Sequence, residues 1–521
     1  MPDVIPIKSL TDNPTFDVVL DTIERNKQII VFVGSKSSAE KTAEEIAQYI
    51  KKNKIAIPHD CKLLSEQILH ALSKPTKQCE REAKCVENGI AFHHAGLLQK
   101  QKTAIEHAFR QGTIKCICCT PTLAMGINMP AYRTVIRDLK RFTKWGQDYI
   151  SVLEYHQMAG RAGRPGKDTR GEAITLAKTE AEKETIYEEF ITADVEEIYS
   201  KLAVEPVLRT YVLSLIATEH VRTKKQIIDF FSKTFWAFQY KDMQKLEAII
   251  NKMLGLLEEF AFIESNKGEF TTALDYANES YIATAVGKRV AELYLDPLTA
   301  HALIEGMKCA KTFSTFSLLQ LMCSQLELRP LLNVRKSEYE DIEQQLILHT
   351  EELLTDAPTA YDSDYDEFLK SIKTTLFFET WIQEATEEEL LLKFDVRPGE
   401  LYAKKERLDW LIYAAAELAK LLQSRTVEKE LQKLRIRVEQ GVKEELFTLL
   451  KFEGIGRVRA RKLYDNKIKD TGDIKKADMI TLTSILGPSL AVSLKKQVGI
   501  DVEKISVKEN KRKGQISLMD Y

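Results

Sequence analysis

Short apolar runs separated by amphipathic stretches mark the first 180 residues. Gln28–Val33 (QIIVFV) is rich in β-branched residues and has no polar alternation, the pattern of a strand buried on both faces of a parallel sheet. Gly34–Ser35 turns the chain. Ser38–Tyr49 then sets Ala39, Ala43, Ile46 and Ala47 on one helical face. Ile90–His93, Ile114–Cys119, Val135–Asp138 and Ala173–Leu176 read as further strands, and Thr103–Gln111 as a helix. Strands alternating with helices predict a doubly wound α/β domain over residues 1–180.

From about residue 181 strand signals become rare and long amphipathic helices take over. Residues 181–285 read as a linker helix and a small helical domain ending in a hairpin. Its strands would be Phe260–Glu264 (FAFIE) and Phe270–Thr272 around a turn at Asn266–Gly268, the pattern of a winged helix. Residues 286–440 are predicted to be helical almost throughout, and the acidic stretch from Glu338 to Glu367 reads as a solvated face rather than a site. Residues 441–505 form a compact helical unit around Gly454–Gly456. Residues 506–521 read as a flexible basic tail.

Composition narrows the function classes. A chain of 521 residues exceeds what one core organises, which agrees with the several domains above. The formal net charge is -2, so no global basic field draws in nucleic acid, and any such site must rest on local basic stripes. The eight cysteines show no paired framework. Cys116, Cys118 and Cys119 crowd into one apolar strand, and Cys79 and Cys85 have no ligand cluster beside them, so free thiols in a reducing compartment are expected and no metal site is assigned. No leader-like segment or membrane-length apolar run stands out, so a soluble, cytoplasmic protein without a membrane partner is expected.

The densest chemistry lies in EYHQMAGRAGRPG, residues 154–166. It is predicted to place Gln157, Arg161 and Arg164 on a short helix, with the two arginines three apart on one face. Guanidinium groups are permanently charged, planar and forked, which suits phosphate, and Gly160 and Gly163 leave room for close approach. The second stretch is CTPTLAMGINMPAYRTVI, residues 119–136. A buried strand delivers Thr120 and Thr122 to the C-terminal edge of the sheet, where such folds place ligands, and Gly126 permits a tight turn before Asn128. Two further segments are VFVGSKSSAEKTAEEIA (31–47) and FHHAGL (92–97). Taken alone, the His93–His94 pair is more often structural than catalytic.

Together these segments resemble helicase motifs IV, V and VI and an adjoining motif, in the order found in a second RecA-like domain. The chain resembles the archaeal Hjm-type repair helicases of the Ski2-like group in superfamily 2, and the likeness extends through KLAVEPVLRTYVLSLIAT (201–218), GKRVAELYLDPLTA (287–300) and LDWLIYAAAELAK (408–420). It implies an α/β RecA-like domain followed by mostly α-helical domains: a winged helix, a helical ratchet bundle and a helix-hairpin-helix. It also implies an ATP-dependent 3′-to-5′ DNA helicase acting on branched or fork DNA in repair. Gln157, Arg161 and Arg164 would then be catalytic and, with Gly126 and Asn128, would contact the nucleotide. Thr120 and Thr122 would contact nucleic acid.

A complete helicase also needs a GxxxxGK[ST] loop for the nucleotide phosphates and an acidic pair for magnesium. Neither is found: Gly166–Lys167 is followed by Asp168 and Gly287–Lys288 by Arg289. The expectation is that ATP and Mg2+ are bound mainly by a first RecA-like domain on a separate chain, whether from a split gene or because this is a cut fragment. This chain alone would then be inactive.

The resemblance assigns the remaining domains. Residues 135–153 would form a β-hairpin that parts the duplex. Arg133, Arg137, Lys140, Arg141 and Lys144 would supply charge to it, and Phe142 and Trp145 would stack on or pry at a base pair. Trp410 matches a tryptophan of the ratchet helix that stacks on the translocating strand. Where that helix carries an arginine two turns earlier this chain has Ala403, with Lys404 beside it as the substitute. FEGIGRVRARKL (452–463) resembles a helix-hairpin-helix, in which Gly454 and Gly456 expose turn amides to a phosphate. Arg457, Arg459, Arg461 and Lys462 add a basic surface, and Leu449, Leu450, Val458 and Leu463 an apolar one. In the tail, Gln515, Leu518 and Tyr521 follow the spacing by which repair proteins plug into the sliding clamp (PCNA), and a single-strand-binding protein would use similar residues. Two alternatives stand beside this reading: an RNA helicase of the same group, and a non-catalytic module that holds branched DNA.

Overall fold

The computed structural model describes residues 5–500 except 57, 59, 73, 144–145, 203, 267–279 and 310–312, and omits the side chains of 142 and 143. The chain divides into two compact units. One comprises the residues up to Lys201 together with Glu387–Lys404; the other comprises Leu202–Thr386 and the chain from Lys405 onward.

The first unit is built on a five-stranded parallel sheet. Its strands are β1 (Ile29–Phe32), β2 (Ile90–His93), β3 (Cys116–Cys119), β4 (Arg133–Ile136) and β7 (Glu172–Thr175), in the order β2-β3-β1-β4-β7. The strands β1, β2 and β3 are buried along their whole length, which is why β1 and β3 read as unbroken apolar runs and β2 as one that ends at His93. Helix Lys36–Lys52 covers one part of the sheet. Ser35 caps it by accepting from the Ser38 amide, and its small residues Ala39, Ala43 and Ala47 let it lie close to the strands. The Cys116, Cys118 and Cys119 thiols are core side chains of β3, and burial raises the pKa of Cys119 well above the ordinary range.

Strand β4 starts two residues earlier than its apolar pattern suggested, because Arg133 is part of it. This side chain is fully buried beside Glu172, its partner residue in β7. Its Nε donates to Glu172 Oε2 at 2.6 Å, and its NH1 donates to Thr22 Oγ1 at 3.0 Å and to Asp21 on helix Pro14–Glu24. Arg133 therefore ties that helix to the sheet and is not one of the hairpin's charges. Arg137 is also committed within the domain, with its guanidinium on Thr42 Oγ1 at 2.7 Å, on Ser38 and on Asp138.

After β4 the chain makes an antiparallel ribbon of β5 (Lys140–Thr143) and β6 (Gly146–Tyr149), in which Arg141 faces Asp148 and Phe142 faces Gln147. Lys144 and Trp145 lie outside the described residues.

In the second unit, helices Glu205–Ala217, Lys224–Phe231, Phe235–Tyr240 and Met243–Glu259 precede β8 (Ile263–Ser265). The strand that pairs with β8 is β9 (Tyr281–Ala283), and the expected partner Phe270–Thr272 lies outside the described residues. Phe260 ends its helix and stacks on His301 instead of entering the ribbon. Gly287 is needed for close approach, since a Cβ there would collide with the Phe262 carbonyl.

Long helices follow, including Tyr365–Ile382, Pro398–Leu421 and Arg425–Gln440. Within the acidic stretch, Ile342 and Leu346 pack on Phe368 and Ile372, while Glu338 accepts from Lys373 at 2.6 Å. Residues 442–498 close a separate small core around Leu446, Leu449, Ile455, Leu463 and Leu482.

Candidate functional site

The motif at 154–166 begins on helix Val152–Ala159, which Ser151 caps by accepting from the Glu154 amide at 3.1 Å. Gln157 lies on this helix. Arg161 and Arg164 do not, because the helix stops at Gly160 and Gly163 takes φ +90. The shared helical face expected for the arginines is therefore replaced by a loop. A Cβ on Gly171 would collide with Gly163, so the two glycines let this loop lie against the start of β7. Backbone bonds fix it to the chain before β4: the Ala131 amide donates to the Arg161 carbonyl at 2.9 Å, and the Gly163 amide to the Ala131 carbonyl at 2.6 Å.

The loop aims its two arginines differently. Arg161 NH2 donates to the Ala124 carbonyl, joining this motif to the one after β3. Its Nε is buried without a hydrogen-bond partner, and so is Gln157 Oε1. The unpaired donor suits a phosphate oxygen, and the unpaired acceptor suits a water or hydroxyl. Each nitrogen of Arg164 makes one hydrogen bond, Nε and NH2 to Asp168 and NH1 to Gln28 Oε1 at 2.8 Å, so three of its five N–H groups are used. Asp168 also accepts from Lys27 at 2.8 Å. The Arg164 guanidinium, with Lys27 beside it, holds the Asp168 carboxyl well below the usual carboxylate range. Asp168, Gln28 and Lys27 were not singled out from the sequence; an acid four residues after an arginine was the only sign.

At the end of β3, Thr120 Oγ1 and Thr122 Oγ1 lie 2.9 Å apart around a short 3₁₀ turn, Pro121–Leu123. The loop then exposes Met125, Gly126 and Asn128, and Gly126 has φ +80 with open space beyond it. In the β5–β6 ribbon, Arg141 NH1 binds Glu154 Oε2 at 3.0 Å, and Lys140 lies over the Tyr149 ring. The ribbon is therefore linked to the helix that carries Gln157.

The histidines of FHHAGL lie buried beside carboxylates. His93 Nε2 is 3.0 Å from Glu106 Oε1 and His94 Nε2 is 3.1 Å from Glu40 Oε1, and burial lowers both pKa values.

Lys404 and Trp410 lie on helix Pro398–Leu421. Trp410 is half-buried and donates its indole N–H to the Leu293 carbonyl at 3.2 Å. Arg407, not singled out from the sequence, stands three residues before Trp410 on the same helix, is exposed and donates to the Arg329 carbonyl.

In the 452–463 turn, Gly454 has φ +80 and Gly456 caps helix Arg457–Asp465. The basic surface is smaller than expected. Arg457 stacks over Trp381 at 4.3 Å and donates to the Ala385 carbonyl, and Arg461 is paired with Glu384 and Glu445. Arg459 and Lys462 are exposed, although Arg459 also donates to the Gly454 carbonyl at 2.8 Å. Val458, expected in the apolar set, is exposed. Gln515, Leu518 and Tyr521 lie outside the described residues. Among the described residues no group of three or more His, Cys, Asp or Glu side chains is arranged to hold a metal ion, and no helix is long and apolar enough to cross a membrane.

Three family models match the chain: the helicase conserved C-terminal domain over residues 65–166, a helix-turn-helix domain over 171–264, and archaeal helicase domain 4 over 316–441. The chain is similar to proteins named ATP-dependent DNA helicase Hel308. It is 38% identical to that of Methanocella arvoryzae over 496 residues, 93% of this chain and 65% of the relative. For Methanococcus vannielii the identity is 36% over 90% of this chain and 65% of the relative, and for Pyrococcus horikoshii 35% over 97% and 68%. The chain thus spans about two thirds of the length of these relatives.

Proposed function

The chain belongs to the Hel308 family of DNA helicases, and on that premise we propose that it supplies the second motor domain and the DNA-handling domains of an ATP-dependent 3′-to-5′ helicase. Its substrate is branched or fork DNA in repair and recombination. The phosphate loop and the magnesium carboxylates come from a first motor domain, on a separate chain or elsewhere in the same polypeptide.

The observation that carries this reading is the pair of unpartnered buried atoms, Gln157 Oε1 and Arg161 Nε, on a loop that Arg161 joins to Ala124. A module that only binds DNA has no use for a buried guanidinium Nε left without an acceptor, whereas a nucleotide at a domain interface supplies one. Arg161 and Arg164 reach the γ-phosphate, Gln157 positions the attacking water or the nucleotide, and Gly126 and Asn128 lie on the adjoining loop. ATP provides the phosphoryl group whose developing charge these arginines stabilise.

DNA is handled by Thr120 and Thr122, by Arg141 and Phe142 of the ribbon, and by Lys404 and Trp410. Gly454, Gly456 and Arg459 of the helix-hairpin-helix contact its backbone. The linker helix and winged-helix domain span residues 181–285, and the helical ratchet domain 286–440.

The test is reconstitution with a chain carrying a first motor domain. DNA-stimulated ATP turnover and fork unwinding are expected of the pair, and none of this chain alone. Turnover by the single chain, or none by the pair, overturns the reading. Competition between matched DNA and RNA forks separates it from an RNA helicase of the same group.

A further inference from the structure

The FHHAGL motif contacts a segment some 300 residues away in sequence. Glu387–Lys404 belongs to the same compact unit as the parallel sheet, although the chain between Leu202 and Thr386 lies in the other unit. The contact is made by backbone. The Gly399 amide donates to the Gly96 carbonyl at 3.0 Å. A Cβ on Gly399 would collide with the Leu97 carbonyl oxygen, and a Cβ on Gly96 with the Arg397 side chain. Neither residue has a positive φ, so close approach is what each glycine provides here.

Around this backbone contact, charges close the joint. Glu40 Oε1 accepts from Arg397 Nε at 2.9 Å and Glu40 Oε2 from Arg81 NH1 at 2.8 Å, with the carboxylate buried. His94 Nδ1 accepts the Gly96 amide at 3.1 Å, so the ring proton sits on Nε2, which lies 3.1 Å from Glu40 Oε1. Burial alone would raise the Glu40 carboxyl, and its partners His94 and Arg397 hold it below the usual range instead. A second pair, Lys36–Glu400, lies alongside. Lys36 and Glu40 are on the helix of the 31–47 motif, and Arg397, Gly399 and Glu400 are at the base of helix Pro398–Leu421.

That helix continues without a break into the second unit and carries Trp410. Its 24 residues span about 36 Å.

We propose that Glu40, His94, Gly96, Arg397 and Gly399 form a fixed joint that makes the base of the Trp410 helix part of the motor unit. They are positioning residues. A displacement of the motor unit is passed along a continuous helix to the side chain that meets the DNA strand. This rests on the helicase reading only for the role of Trp410; the joint itself does not.

The test has two arms. In the intact chain alone, Arg397→Ala is expected to speed amide hydrogen exchange at residues 95–99 and 399–402 by roughly tenfold or more, leaving β3 unchanged. Glu400→Gln, which removes only the charge facing Lys36 and keeps an acceptor for the Arg397 amide, should give a smaller increase at the same amides. Unchanged exchange in both variants overturns the joint. In the reconstituted helicase, Arg397→Ala should keep DNA-stimulated ATP turnover within about twofold while base pairs opened per ATP fall roughly threefold or more, and Arg397→Lys should restore part of the loss. An equal yield per ATP in Arg397→Ala and wild type overturns the positioning role. A wild-type pair that hydrolyses no ATP and opens no fork overturns the helicase reading and with it the role of Trp410, and the exchange arm then decides the joint.

Discussion

Arg164 and Asp168 meet as a two-point ion pair, Nε to Oδ2 at 2.6 Å and NH2 to Oδ1 at 3.0 Å. Both groups are largely shielded, and the third donor edge of the guanidinium rests on Gln28. The pair fixes the plane and direction of the arginine before any ligand arrives, and such orientation costs nothing further when the reaction occurs.

This geometry gives opposite expectations for the two residues. In a reconstituted helicase, Arg164→Ala should lower kcat by roughly a thousandfold with DNA affinity nearly intact, because the guanidinium acts on charge that develops in the transition state. Asp168→Asn keeps the shape but loses the charge that holds Arg164, so kcat should fall by roughly ten- to a hundredfold, with a smaller change in KM. Single-turnover and steady-state ATP hydrolysis measure both. Wild-type turnover in Arg164→Ala would remove it from the catalytic role.

DNA binding by the chain alone should depend steeply on salt, through fewer residues than the sequence suggested. Arg459 and Lys462 are exposed on the 452–463 turn, whereas Arg461 is bound to Glu384 and Glu445. Changing Arg459 and Lys462 together to alanine should weaken all sequences alike and reduce the slope of log K against log salt by about 2. Arg461→Ala should leave that slope unchanged. Fluorescence anisotropy of a labelled fork across a salt series decides, and a slope change in Arg461→Ala would contradict the assignment.

These cases show what the sequence could and could not tell. The strands β1 and β3 were legible because both are buried along their length and apolar at every position, and β2 because it is apolar up to His93. Arg133 was not, since its two carboxylates, Asp21 and Glu172, are remote in sequence and an arginine near other bases looks like surface charge. Arg161 and Arg164 have helical spacing, but local periodicity cannot register that Gly163 adopts a left-handed turn to meet Gly171. The return of Glu387–Lys404 to the motor unit left no local trace at all, because what it needs is two glycines far apart in the chain, Gly96 and Gly399.

The C-terminal peptide carries a prediction from sequence alone. Residues 508–521 should bind the sliding clamp in a calorimetric titration through Gln515, Leu518 and Tyr521, whose spacing of three suits one turn entering an apolar pocket. Leu518 and Tyr521 changed together to alanine should abolish the heat. A wild-type peptide that binds no better than the double variant ends the idea, and titration against a single-strand-binding protein tests the other partner.

Glu82 sets a pH dependence on the stability of the first unit. Its carboxyl is fully buried and accepts the Phe92 amide at 3.2 and 3.3 Å, on the free side of edge strand β2. Burial pushes its pKa well above the usual carboxylate range, and the Phe92 hydrogen bond offsets only part of that rise. A group whose pKa is raised in the folded state contributes fully below its unfolded pKa of about 4.3, and that contribution is lost as pH rises toward the folded value. Glu82→Gln keeps the acceptor for Phe92 and removes the titration. The variant should therefore match the wild type at about pH 4 and exceed it at neutral pH by on the order of 1 kcal/mol or more. Urea unfolding of the full chain at both pH values, followed by exchange at the β2 amides to isolate this unit, measures the difference. A variant equally stable or weaker at neutral pH would show that Glu82 does not limit the unit in its charged form.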